Sequence, residues 1–301
     1  MDMQKLVSQQ LKPGKYVIGV SGGVDSVALL DILAKNKKLE LIVAHLDHGI
    51  RDDSKLDQKL VQDLAKKYGL IFETKSVNLG LHPSEQSARD ARYEFLKSVS
   101  DDHQADGIIT AHHQDDVIET AVFNLLRGTG RKGITSLGSN NFIVRPLLGI
   151  NKTQIKEYAQ LHKLVWREDS TNQDLSYKRN LIRSNLAKNP DKLATDKLLK
   201  QISHLRSTNK QLDKELDELA TKLTKDNKLV RGDFINLPHK LAVEVMAHYL
   251  RRNGISSYDT KLLNNLVNAA KTYKKGSLSS INKTAYLMIE SQFLAIMTDQ
   301  R

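Results

Sequence analysis

Cysteine is absent from the 301 residues. That excludes disulfides, thiolate metal sites and iron–sulfur clusters held by this chain, and any persulfide or glutaminase-type cysteine nucleophile of its own. Aromatic residues are scarce, at 5% with a single tryptophan. A protein that grips single strands mainly by base stacking usually carries more. No run approaches 18 consecutive apolar residues, so no membrane span and no membrane partner are expected. The opening MDMQKLVSQQLKPGKY has no apolar core of signal-peptide length, which leads us to expect a cytoplasmic chain.

Acidic residues are the minority charge. Lys and Arg number 46 against 35 Asp and Glu, a formal net charge of +11. Such a field favours a polyanionic partner, with nucleic acid the leading candidate and a solubility preference the plainer alternative. Hydrophobic residues at 40% and charged residues at 27% are an ordinary globular balance, so a folded chain is expected. The length suits two domains better than one core.

Short apolar runs alternate with helical spacing over the first half. Tyr16–Val20, Leu39–Leu46, Ile71–Val77 and Gly107–Ala111 read as strands. Val27–Lys35, residues 54–68, Ser84–Val99 and Asp115–Leu126 read as helices. The alternation predicts an α/β fold with a parallel twisted sheet and helices on both faces. Ligands of such sheets bind beyond the carboxyl ends of the strands. Ser21–Ser26, His45–Arg51 and His112–Asp116 fall at such ends.

The texture changes after Val144-Arg145-Pro146. Thr153–His162 reads as a helix and Trp166–Arg183 as a polar loop entering another. A long charged helix follows, with Ile202, Leu205, Leu212, Leu216, Leu219 and Leu223 on a narrow apolar stripe. The stripe either rests on its own domain or makes a subunit contact, which would give a homodimer. From about residue 227, helices at Leu241–Arg252 and Thr260–Ala270 precede short strands at Ala285–Ile289 and Phe293–Met297. The expected division is a domain over 1–190, a linker helix over 191–226 and a small α+β domain over 227–301.

The most informative stretch is Tyr16-Val-Ile-Gly-Val-Ser21-Gly22-Gly23-Val24-Asp25-Ser26. A strand must stop, turn and feed a helix within a few residues. Two glycines permit the turn and leave the backbone bare for close approach. Successive N–H groups and the helix N-terminus form an anion cradle, to which Ser21 and Ser26 add hydroxyls. Asp25 within that cradle would repel a phosphate unless a cation, most naturally Mg²⁺, stood between them. Alone, Asp25 or Ser26 could simply cap the helix. No Lys follows the glycines, so this is not the kinase-type phosphate loop.

The Ser-Gly-Gly-x-Asp-Ser string resembles the signature of PP-loop ATP pyrophosphatases, which share the adenine nucleotide α-hydrolase-like fold. Further blocks narrow the likeness. Val43-Ala44-His45-Leu46-Asp47-His48-Gly49-Ile50-Arg51 with Asp52-Asp53-Ser54 is similar to the second strand-end segment of the tRNA(Ile)-lysidine synthases. Ser84–Leu96, with Glu85, Ala88-Arg89 and Arg92-Tyr93, resembles their Glu-x-x-Ala-Arg-x-x-Arg-Tyr helix. Thr110–Asp116 with Glu119-Thr120 and Leu126–Gly130 resembles a third block. Arg145–Leu148, Trp166–Asn172 and Arg179–Arg183 complete the order. The likeness covers about residues 15–190 and extends by weaker pattern over 230–297. Longer members of the family carry a further C-terminal domain, which this chain is expected to lack.

The resemblance implies ATP and Mg²⁺ as cofactors. Its partners would be free L-lysine and a tRNA(Ile) with a CAU anticodon. ATP would adenylate O2 of the wobble cytidine, and the amine of lysine would attack C2, expelling AMP and leaving lysidine. Another PP-loop tRNA-modifying or amidating enzyme is the alternative.

The implied nucleotide-binding residues are Ser21, Gly22, Gly23, Val24, Asp25, Ser26 and His45, with Asp25 and Asp116 sharing Mg²⁺. His112 would contact the α-phosphate or move a proton. Arg92 would neutralise phosphate charge, or else Arg89 and Arg92 form a solvated face with Arg89 paired to Glu85. Arg179 and Arg183 suit RNA or phosphate contact, or a pair on a helix surface. Glu168 and Asp169 would receive the ammonium of lysine, or Asp169 would cap a turn. Two patterns are set aside. Gly128-Thr-Gly-Arg-Lys-Gly133 fits a dinucleotide motif but follows a helix, not a strand. His45, His48, His112 and His113 lack evident zinc-ligand geometry.

Overall fold

The computed structural model describes residues 3–47, 49, 54–78, 80, 84–168, 178–188, 191–255 and 258–298. His48, Arg51, Asp52, Asp53, Asp169 and the stretch 170–172 of the sequence reading lie outside them. The chain divides into two compact units, Met1–Leu205 and Arg206–Arg301.

The first unit runs α1 (Met3–Ser8), β1 (Gly14–Gly19), α2 (Val24–Ala34), β2 (Leu39–Asp47), α3 (Ser54–Tyr68), β3 (Ile71–Ser76), α4 (Glu85–Asp102) and β4 (Gly107–Ile109). It continues with α5 (Gln114–Leu126), α6 (Arg131–Ile134), β5 (Ile143–Val144), α7 (Lys152–Leu161), α8 (Lys178–Lys188) and the start of α9 (Lys192–Lys222). Among the described residues the strands form one parallel sheet in the order β3-β2-β1-β4-β5. From β1 the chain winds outward through β2 and β3, then returns to the other side of β1 with β4. The strand order therefore reverses between β1 and β4, where α/β sheets open a ligand crevice.

Why β1 is a continuous apolar run follows from its place at the centre. Ile18 and Val20 face a core built with α2, α3 and α7. Val17 faces a second core with Phe95, Leu96 and Val99 of α4. A strand covered on both faces has no solvent side to mark with polar residues. At the edge, β3 carries Glu73, Thr74 and Lys75 and is largely exposed, the polar character that blunts edge pairing. Helix α2 is buried on nearly every side from Val24 to Leu33. Its buried carboxylate, Asp31, accepts from the Tyr68 and Tyr158 hydroxyls and from Lys35 Nζ, each at 2.6 Å. Burial opposes its charge, but those three donors hold the carboxyl below its ordinary value.

The second unit holds the rest of α9, then β6 (Thr224–Lys225), β7 (Lys228–Val230), α10 (Arg231–Ile235), α11 (His239–Arg252) and α12 (Thr260–Thr272), followed by β8 (Leu278–Ser280), β9 (Ala285–Ile289) and β10 (Phe293–Thr298). Its antiparallel sheet, ordered β6-β7-β10-β9-β8 among the described residues, packs with α11 and α12 around Phe234, Met246, Leu266 and Leu287. The stripe on α9 is covered within the chain at both ends. Ile202 packs with Val117, Ala121 and Leu137, and Leu216, Leu219 and Leu223 pack in the core of the second unit. The segment read as a polar loop up to Arg183 is helical from Lys178, as α8. Its buried face is the single residue Ile182, too little periodicity to mark a helix.

Candidate functional site

The turn after β1 is shaped by its first glycine. Gly22 has φ +91°, a conformation that costs an L side chain strain and glycine almost none. The chain then enters α2 through Gly23. Ser26 Oγ donates to the Gly23 carbonyl at 2.9 Å and accepts from the Ser21 N–H at 3.1 Å. The two serine hydroxyls lie 3.2 Å apart. One hydroxyl thus closes the loop on itself, which is what a serine in the first turn of a helix does well.

A bracket holds the loop from outside. The Arg167 N–H donates to the Gly22 carbonyl at 3.0 Å, and its Nε donates to Asp57 Oδ1 at 2.6 Å. Asp57 is buried on α3 and lies against Gly22. Beside it, Asp47 at the end of β2 accepts from the Gly49 N–H at 2.9 Å and from Ser54 Oγ at 3.1 Å.

Carboxylates gather around one imidazole. His113 Nε2 is 3.8 Å from Asp25 Oδ2 and 3.6 Å from Asp116 Oδ2, and its Nδ1 is 3.3 Å from Asp115 Oδ2. Burial works against a charge on His113, yet these three acids raise its pKa above the ordinary value. Asp116 Oδ2 also accepts the His113 N–H at 2.9 Å, capping α5. Asp25 Oδ2 is held by Lys152 Nζ at 2.6 Å, while Asp25 Oδ1 is buried with no hydrogen-bond partner among the described residues.

His112, one residue away, has the opposite character. Burial lowers its pKa well below the ordinary 6.5, and the charges of Arg145, Arg89, Arg92 and Arg179 lower it further. It is a neutral imidazole at pH 7, with Nδ1 2.9 Å from the Thr110 hydroxyl. Arg145 is itself buried. It donates to the Gly138 carbonyl and, at 2.9 Å, to the Tyr93 hydroxyl. Arg89 stacks over the Tyr93 ring, 4.8 Å from its centroid. Because the folded pKa of His112 is depressed, the unfolded chain binds more protons below pH 6.5, and this residue makes stability fall as pH drops through that range. His113, with its raised value, contributes in the other direction, losing stability as pH rises through its folded pKa. His112→Gln should therefore lose less stability than the parent between pH 6.5 and 5, measured as urea midpoints. Parallel curves for the two proteins would refute a buried neutral imidazole here.

These groups meet in a cavity of about 360 Å³ at the carboxyl ends of β1, β2 and β4. Ser21, Asp25, Ser26, His45, Arg92, His112, Asp116 and Arg179 line it. Its walls thus carry both carboxylates and guanidinium groups. His45 is buried, with Nδ1 2.8 Å from the Val20 carbonyl. A carbonyl can only accept, so Nδ1 carries the proton. Gly22, Gly23 and Val24 form the turn beneath. The other sequence-predicted residues have these partners within the chain. Arg183 is joined to the buried Glu119 by two bonds of 2.7 and 2.9 Å. Arg179, four residues earlier, pairs with Glu85 at 2.8 Å; Glu85 is therefore Arg179's partner, not Arg89's. Glu168 is highly exposed and lies 3.6 Å from Lys156, outside the described cavity lining. Asp169 lies outside the described residues.

Sequence reasoning missed Lys152 and Asp57, and gave Arg167 and Thr110 no role beyond membership of a motif block. Lys152 carried one legible signal: a cation in the first turn of a helix opposes the helix dipole, so it needs a carboxylate from elsewhere.

Residues 1–190 match the family model described as a PP-loop domain. Among curated proteins, the tRNA(Ile)-lysidine synthase of Bacillus cereus (strain ATCC 10987 / NRS 248) is 33% identical, over 70% of this chain and 44% of that protein. The proteins of the same name from Thermotoga sp. (strain RQ2) and Clostridioides difficile (strain 630) are 36% and 31% identical. The first match covers 58% of this chain and 44% of its relative, the second 80% and 56%. The chain spans about half the length of the curated relatives it matches. Among solved structures, the U34-tRNA thiolase NcsA from Methanococcus maripaludis, with its [4Fe-4S] cluster, superposes with a TM-score of 0.54 at 18% identity, covering 67% of this chain and 77% of that one. That likeness is one of fold. With its matching domain, its parallel sheet and its glycine loop at the reversal of strand order, the chain belongs to the PP-loop family.

Proposed function

We propose that this chain is a lysidine-forming ligase that uses ATP to activate the wobble cytidine of a tRNA(Ile) with a CAU anticodon. The observation that carries this reading is the cavity itself. A serine- and glycine-lined anion loop, four carboxylates and two guanidinium groups line one cavity together with the neutral His112, in a chain similar to proteins named for that reaction.

In this reading the loop N–H groups and the Ser21 and Ser26 hydroxyls receive the triphosphate. Asp25 and Asp116 would hold Mg²⁺. Among the described residues no group of three or more acids and histidines is placed to hold an ion alone. Magnesium in nucleotide sites, however, takes one or two carboxylates and completes its shell with phosphate oxygens and water. The unpartnered, buried Asp25 Oδ1 fits that role, since a buried carboxylate oxygen without a donor is costly. When bound, the ion would neutralise charge on the phosphates.

Cytidine O2 attacks the α-phosphorus and the bond to pyrophosphate breaks. The amine of free lysine then adds at C2, the C2–O2 bond breaks, and AMP leaves. Arg92 and Arg179 line the cavity where negative charge builds up during the first step. With Nδ1 of His112 bonded to Thr110, Nε2 is the nitrogen left to meet the α-phosphate or to move a proton.

The test is incorporation of labelled lysine into a CAU-bearing tRNA, expected with one AMP and one pyrophosphate formed per lysine. Absence of label ends this reading. ATP turnover onto a different acceptor would favour another PP-loop modifying or amidating enzyme. A thiolation reading is opposed by the lack of any cysteine among the 301 residues, since clusters and persulfides both need thiolates.

A further inference from the structure

We infer that Lys152 is a positioning residue that grips one oxygen of Asp25 and competes with the divalent ion for that carboxylate. The inference rests on the proposed Mg²⁺–nucleotide role of Asp25.

The placement of Lys152 has no local explanation. It is the first residue of α7, immediately after the Asn151 cap, where the helix dipole disfavours a cation. Yet its ammonium lies 2.6 Å from Asp25 Oδ2, across 127 residues of sequence. Its own N–H donates to Asp115 Oδ2 at 2.7 Å. Asp115 in turn meets His113, and His113 approaches Asp25. The contacts close a ring that ties the start of α7 to the first turns of α2 and α5. Within it the two oxygens of Asp25 are treated unequally: Oδ2 takes the lysine, and Oδ1 is buried with no partner among the described residues.

This arrangement has a consequence of definite sign. A fixed ammonium beside a carboxylate aims it but also opposes any second cation that binds there. Lys152 is 39% exposed, so water can solvate the displaced ammonium when the ion arrives. Loss of a lysine that only organises the site should weaken ion binding. Loss of a lysine that competes should strengthen it.

The experiment titrates Mn²⁺ against the full 301-residue chain with α,β-methylene-ATP present, following free Mn²⁺ by electron paramagnetic resonance. Lys152→Met is expected to tighten Mn²⁺ binding about tenfold, the scale of one like charge removed at short range under partial screening, while AMP formation falls. Lys152→Arg retains the cation and should restore Mn²⁺ affinity towards that of the parent. Lys152→Gln serves if the methionine variant does not fold, with the same expected direction. Unchanged or weaker Mn²⁺ binding in a folded Met or Gln variant overturns the role of Lys152 while leaving the nucleotide reading intact. If the parent itself binds neither Mn²⁺ nor the analogue, the nucleotide reading falls and this inference falls with it.

Discussion

Asp25→Asn should reduce ATP-dependent AMP formation about a thousandfold while leaving tRNA affinity within about twofold. The substitution keeps the shape of the side chain and removes its charge. In the structure that charge is answered on one oxygen by Lys152 and on the other by no described residue. If the bare oxygen serves a phosphate-bound cation, its loss removes several kcal/mol of charge stabilisation, and each 1.36 kcal/mol is about a factor of ten in rate. RNA affinity should survive, because it comes mainly from Lys and Arg contacts to phosphates spread over a wide surface. The basic excess of this chain, +11, does not depend on one acid in the loop. Chromatographic AMP release and filter binding to the same tRNA measure the two quantities separately. A parallel fall in both would mean that Asp25 supports the fold or the RNA surface, and its assignment to the nucleotide would be lost.

The loop was legible because its information is local. A strand, two loop glycines, two serines and an acid within eleven residues are enough to specify the turn that opens into the cavity. His45, His112 and Asp116 were legible for a topological reason: residues just past parallel strands lie at the crevice, and all three line the cavity. What escaped depends on which distant elements become neighbours. The Lys152–Asp25 pair and the Arg167–Asp57 pair join positions more than 100 residues apart, and no periodicity encodes such a meeting. Strand β5 escaped because two residues, Ile143 and Val144, are too few to show a pattern. Arg179 and Arg183 show the limit from another side. Their spacing puts them on one face of α8, but only the packing of α5 reveals that Arg183 meets the buried Glu119 while Arg179 reaches the cavity. Burial raises the Glu119 carboxyl even against that guanidinium, a cost of sequestering charge that no one-dimensional reading shows.

The two glycines of the loop should fail in different ways when each is replaced by alanine. Gly22 sits at φ +91°. A Cβ there would meet Asp57 no closer than 3.6 Å, so space is available and the penalty is conformational, about 1–3 kcal/mol for an L residue held in such a region. Gly22→Ala should therefore lower the urea midpoint and, by shifting the N–H groups of the cradle, reduce AMP formation at least a hundredfold. Gly23 sits at φ −73°, which any residue adopts, and the nearest neighbour of an added Cβ is Ser21 Oγ at 3.5 Å. Neither the backbone nor the packing of this chain demands a glycine at 23. Stability of Gly23→Ala should stay within about 1 kcal/mol of the parent, since the poorer helix cap is offset by a stiffer unfolded chain. What remains to explain Gly23 is a ligand that comes close to the bare backbone. Nucleotide affinity should then fall at least tenfold in Gly23→Ala with the fold intact, read by equilibrium binding of α,β-methylene-ATP. Full nucleotide affinity in that variant would leave the second glycine without a physical purpose and would place the triphosphate away from this turn.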